Sequence, residues 1–150
     1  NQLKQKLQSD LNDAIKSRNT VVAETVRMLL AAITNEEVAG KEKKELSDAE
    51  VITVLTREAK KRREAAEAFE QGGRADKAAA ERAEGEVIAT YLPEQLSDAE
   101  LNQLITETIA AVGASGPGDM GKVMGALKAK VAGKADGATV SNLVKAALAK

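Results

Sequence analysis

Tyr91-Leu92-Pro93-Glu94-Gln95-Leu96-Ser97-Asp98-Ala99-Glu100 is the stretch on which the reading of this chain turns. Pro93 has no amide proton to give and disfavours helical backbone at Leu92, so no helix runs through it. Shortly after it, Ser97 and Glu100 have the spacing of a capping box, in which the serine hydroxyl and the glutamate carboxylate each take a free amide at a helix start. One helix therefore ends before this segment and another begins inside it. This predicts an N-terminal helical domain over 1–92 and a C-terminal one over 93–150. Leu-Ser-Asp-Ala-Glu also occurs at 46–50. The sequences around the two copies do not align, so they read as two capping boxes rather than an internal repeat.

Upstream, the apolar periodicity predicts four helices. Leu3, Leu7, Leu11 and Ile15 recur at strict i, i+4 spacing over about 2–16. Thr20 is placed as the cap of a second helix whose stripe is Val22, Val26, Leu29, Leu30 and Ile33. Gly40 and the charged run 41–45 form a loop, and Ser47 opens a third helix reaching Gln71. Gly72-Gly73 ends it. A fourth helix over about 75–90 carries Ala78, Ala79 and Ala83, small enough for close packing, and the two together suggest a long helical hairpin.

Downstream, three short amphipathic helices predict a three-helix bundle. The first carries Leu101, Leu104, Ile105, Ile109 and Val112. After a loop over 113–118, Asp119 is placed as the cap of the second, which carries Met120, Val123, Met124, Leu127 and Val131. Gly133 stops it, and Asp136 or Gly137 caps the third, with Val140, Leu143, Val144, Ala147 and Leu148. The expected fold class is all-α throughout.

Composition narrows the chemistry. The chain has no Cys and no His, which removes disulfides, thiolate nucleophiles, the commonest general base and the commonest metal ligand. Phe69 and Tyr91 are its only aromatic residues, so the core is aliphatic and base stacking on aromatic platforms is excluded. No apolar run reaches the length of a membrane span, and Asn1 to Gln5 lack the apolar core of a leader. A cytoplasmic protein without catalytic residues, metal or cofactor is expected. Net charge is −1 but unevenly spread. Residues 94–119 hold five acids and no Lys or Arg, whereas 120–150 hold six lysines (122, 128, 130, 134, 145 and 150) against Asp136. Such a segment can meet a polyanion.

Three clusters bear on binding. Arg57, Lys60, Lys61, Arg62 and Arg63 are a basic run, but Glu64 and Glu67 lie one turn on from Lys60 and Arg63 and can pair with them. A solvated helix face is the stronger reading there. Gly121 and Gly125 lie one turn apart within Asp119-Met120-Gly121-Lys122-Val123-Met124-Gly125-Ala126-Leu127-Lys128, flanked by Lys122 and Lys128. Each glycine in a helix interior costs about 1 kcal/mol relative to alanine. Two on one face imply close approach, either of a sugar–phosphate backbone or of a neighbouring helix. Lys130 and Lys134 stand beside the turn Gly133-Lys134-Ala135-Asp136-Gly137, where the next helix N-terminus can grip an anion. An ordinary connection between two helices accounts for that turn more simply. No P-loop, metal box, carboxylate pair or nucleophile elbow is present.

The segment 91–97, the Asp119-Met120-Gly121-Lys122-Val123-Met124 block and the 133–137 turn, in this order and spacing, resemble the GatB/YqeY domain family. Nearly the whole chain is similar to the stand-alone YqeY-like proteins of bacteria. Its C-terminal half resembles the tail domain of the B subunit of tRNA-dependent amidotransferases, which contacts the tRNA body while the chemistry sits in a separate domain. The resemblance implies a tRNA-binding module, with Lys122, Lys128, Lys130 and Lys134 as RNA contacts and Gly121, Gly133, Asp136 and Gly137 as shape-determining residues. It also implies an amidotransferase or aminoacyl-tRNA synthetase complex as partner. Carbon–nitrogen ligase activity with glutamine as amide donor belongs to the family's larger relatives, and nothing here matches their catalytic domain. Two other readings stand beside it: a protein-interaction adaptor that touches no RNA, and an accessory subunit of a glutamine-dependent carbon–nitrogen ligase.

Overall fold

An α-helix turns once in 3.6 residues, so a strict i, i+4 ladder drifts around its helix by about 40° per step. The computed structural model, which describes residues 2–149, shows the result in α1 (Gln2–Lys16). Leu7 and Leu11 are buried, the seam then passes to Ala14, and Ile15, expected to continue it, is 48% exposed. Asn1 and Lys150 lie outside the described residues.

A three-residue turn joins α1 to α2 (Thr20–Glu37). Arg18 adopts left-handed backbone there, φ +60°, and the Asn19 amide donates to the Ala14 carbonyl at 2.9 Å. Asn19, not Thr20, is the cap: its Oδ1 accepts from the Val22 amide at 3.3 Å, while Thr20 is already helical. The α2 stripe buries Val26, Leu29 and Ile33. Its last residue, Glu37, is buried as a carboxylate, gripped by Lys4 Nζ at 2.9 and 3.1 Å and by the Leu46 amide at 3.4 Å. This anchors the loop before α3 (Asp48–Gln71) against α1.

The Ser47–Glu50 capping box that opens α3 is formed in both directions. The first half of α3 is core, with Val51, Val54, Leu55 and Ala59 buried. The second half is charged and packs against α4 (Ala75–Ala89) through small residues. Ala66 and Ala78 are buried, but Ala79 is exposed. At Gly85 an added Cβ would lie 3.8 Å from Arg62 Cβ, an ordinary contact distance for closely packed helices. Ile88 plugs the end of α4 into the core formed by α1, α2 and α3. These elements make up one compact unit, Asn1–Leu92.

The other unit, Pro93–Lys150, has its own core. A second complete capping box, Ser97 with Glu100, opens α5 (Asp98–Val112), and Gly113 at φ +68° closes it. A 3-10 turn at Pro117–Asp119, which begins inside the loop expected over 113–118 and takes in Asp119, leads into α6 (Met120–Val131). Asp119 holds the N-cap position of α6, as expected, but its side chain makes no capping bond. Its carboxylate folds back to accept from the Ser115 amide at 2.9 Å and hydroxyl at 3.4 Å. Gly133, φ +73°, allows the turn into α7 (Gly137–Leu148). Leu101, Ile105, Val123, Leu127, Val131, Val140, Val144 and Leu148 form the core. Among the described residues there are seven α-helices and no strand, so the chain is all-α as expected. No helix among them is long and apolar enough to cross a membrane.

Candidate nucleic-acid interface

Burial of Val123, Leu127 and Val131 fixes the rotation of α6 about its axis, so the opposite face looks outward. Gly121 and Gly125 lie on that face, and a Cβ added to either would meet nothing within 4 Å. The close-packed helix neighbour considered from the sequence is therefore absent, and the glycines line open surface. Ala129, exposed one turn further on, extends the strip. Its i+4 spacing from Gly125 is the only sequence signal for it, and a weak one, because alanine is unremarkable in a helix.

Lys122 and Lys128 are exposed on either flank of this strip. Lys130 is exposed too, but about 80° around from Lys122 at helical spacing, away from the glycines. Lys134 is half-buried in the turn beyond. Lys122, Lys128 and Lys130 thus share a helix, while Lys134 stands apart from the strip. None of the four forms an ion pair among the described residues. Lys122 adds to the field that, after the hydrogen bond from the Ser115 amide, holds the Asp119 carboxyl below its usual range.

The 133–137 turn is built differently from an anion grip. Asp136 places its own carboxylate at the start of α7, accepting from the Thr139 amide at 3.1 Å and hydroxyl at 3.3 Å. A negative charge of the chain itself thus occupies the position an incoming anion would take. The turn is also sewn to the segment after Pro93. The Leu96 amide donates to the Lys134 carbonyl at 2.9 Å, and Gln95 Nε2 donates to the Gly133 carbonyl at 2.6 Å and the Pro93 carbonyl at 2.9 Å. The Gln95–Gly133 bond carried no sequence signal, because its partners lie 38 residues apart. Gly133 and Asp136 shape this turn, and Gly137 is the first residue of α7.

The basic run on α3 is largely neutralised. Arg57 pairs with Glu36 at 3.3 Å, Lys60 with Glu64 at 3.9 Å and Lys61 with Glu58 at 3.1 Å. Arg62 lies 3.4 Å from Glu81 and 3.5 Å from Glu84. Arg63 pairs with no acid among the described residues, so the expected Arg63–Glu67 pair does not form. Among the described residues no group of three or more Asp or Glu is placed to hold a metal.

Two likenesses to known proteins bear on this chain. The family model described as Yqey-like protein matches residues 4–148. The uncharacterized protein C22F3.15 of Schizosaccharomyces pombe is 34% identical over 93 residues, which are 61% of this chain and 73% of that protein.

Proposed function

The chain belongs to the YqeY-like family, and on that premise we propose that it is a non-catalytic RNA-binding module of the cytoplasm, whose ligand is tRNA or a tRNA-linked complex such as an amidotransferase or a synthetase. The observation that carries this reading is the outward face of α6, where two glycines leave open space between two exposed cations, neither of which forms an ion pair among the described residues. A sugar–phosphate backbone can lie against such a strip at van der Waals distance while Lys122 and Lys128 reach phosphates on either side. Lys130 and Lys134 add longer-range attraction. With a single Tyr, a single Phe and no Trp, the chain lacks a platform for splayed bases, so recognition rests on charge and backbone shape. The absence of His and Cys from the sequence supports a binding rather than a catalytic role.

Replacing Lys122, Lys128, Lys130 and Lys134 by Gln retains most of each aliphatic stem and leaves the core untouched. tRNA binding should weaken, and the slope of log affinity against log salt should fall by about 0.7 to 0.9 for each phosphate no longer neutralised. The weakening should be similar across different tRNAs, since no base is read. Neutralising the α3 run should cost less, because four of its five cations already face acids. The opposite ranking would move the interface to α3. No tRNA binding at low salt would overturn the reading in favour of an adaptor that touches no RNA.

A further inference from the structure

An open cleft of about 440 Å³ lies between the α1–α2 turn and the end of α4. Ala14, Val22, Val87 and the Tyr91 ring give it an apolar lining, and the two charged residues that line it, Asp10 and Asp13, are both acids. They lie one helical turn apart on α1. Asp10 accepts from the Tyr91 hydroxyl at 2.5 Å and from Lys6 at 2.9 Å. Asp13 is exposed, and its carboxylate has no hydrogen bond or ion pair among the described residues. The hydroxyls of Ser17 and Thr90, also in the lining, direct their protons to the Ala14 and Val87 carbonyls, which leaves them acceptor capacity only.

A second feature points the same way. The Lys6 ammonium lies 5.4 Å from the centre of the Tyr91 ring, with its side chain 61% exposed. One cation of the chain itself is thus already seated on the ring and carboxylate of this site. Ile15 and Val21, large apolar residues left 48% and 47% exposed, border the same turn.

We propose that this cleft docks a partner protein through a lysine or arginine side chain presented on an amphipathic basic segment. The aliphatic stem would lie on Ala14, Val22 and Val87 and the charged head would reach Asp13, with apolar neighbours on the segment covering Ile15 or Val21. The volume suits one or two side chains rather than a folded surface. An acidic partner would bring its charge against the Asp13 carboxylate, which no cation of the chain pairs among the described residues. The inference is independent of RNA binding by α6.

Tyr91 is the only Tyr and there is no Trp, so intrinsic tyrosine fluorescence of the intact protein reports on the cleft directly. The probes are two amphipathic peptides of identical pattern, one built from Leu and Lys, the other from Leu and Glu. The Lys peptide should change the Tyr91 signal saturably and shift the methyl resonances of Ala14, Val22 and Val87, and the Glu peptide should do neither. Asp13→Asn should weaken binding about two- to fivefold, the range of one partly exposed ion pair. Asp13→Lys should abolish it with helicity unchanged. Equal binding by the Asp13 variants would overturn the proposal. So would peptide shifts confined to the acidic face of α5, or self-association of the protein that abolishes the methyl shifts.

Discussion

At Gly125 the cost and the use of a residue separate. An exposed glycine within a helix forfeits about 1 kcal/mol of helix stability relative to alanine, and no packing compensates, since a Cβ there meets nothing within 4 Å. Gly125→Ala should therefore raise the stability of this unit by roughly 0.5 to 1 kcal/mol, read from urea denaturation. Gly125→Leu should leave it folded yet weaken tRNA binding. Unchanged affinity in the leucine variant would exclude the glycine strip from the interface. Tyr91 gives a test of the other unit. Burial, together with the hydrogen bond to the Asp10 carboxylate, raises the phenol pKa in the folded state. A raised folded-state pKa contributes stability that is complete below the unfolded-state value of about 10 and is lost as pH climbs above it. Asp10 behaves in the opposite sense: its carboxyl is held low, first by Tyr91 and then by Lys6. Its contribution is present above about pH 4 and disappears as pH falls through the depressed value. Tyr91→Phe should cost about 1 kcal/mol at neutral pH, remove the alkaline decline and flatten the acid one. Equilibrium unfolding across pH checks all three.

Each of the two capping boxes joins residues within one turn, which is why Ser47–Glu50 and Ser97–Glu100 are legible without knowledge of the fold. In both, the glutamate carboxyl is held below its usual range. For Glu100 the Ser97 amide is the main cause, and for Glu50 the Lys44 ammonium comes first. Ser97→Ala should destabilise its unit by about 1 kcal/mol, and Ser47→Ala the other by a similar amount, measured by thermal melting. Other element boundaries depend on longer reach. Asn19 takes the place of Thr20 as a cap because the chain first reverses through left-handed Arg18. Asp119 stands at the N-cap of α6 without a side-chain cap because Ser115, four residues back, offers its carboxylate an amide and a hydroxyl. In α1 the helical drift takes Ile15 off the seam and gives its place to Ala14.

Among the described residues the buried apolar side chains form two cores with no member in common. Leu127 is fully buried in the smaller one, and a core of that size has little stability to spare. Leu127→Ala should cost about 2 to 5 kcal/mol. Amide exchange should then accelerate throughout α5, α6 and α7, while the slow amides of α1, α2 and α3 keep their protection. Loss of protection in both units together would show that they unfold as one. Charge is distributed on the same scale: α5 exposes Asp98, Glu100 and Glu107, whereas α6 exposes lysines alone among its charged residues.

The sequence by itself determined the helices, most of their ends, the aliphatic make-up of the cores and the separation of acids from lysines along the C-terminal half. These depend on periodicity, capping and composition, whose interactions act within about four residues of chain. The tertiary structure decided which surfaces are free. It left Gly121 and Gly125 open rather than packed and filled the start of α7 with Asp136. It paired Arg57 with Glu36 and Arg62 with Glu81 and Glu84 across long stretches of chain. It also brought Asp10, Asp13 and Tyr91 to one cleft. Exposure and ion pairing depend on what packs alongside a residue, and those neighbours are distant in the chain until it folds.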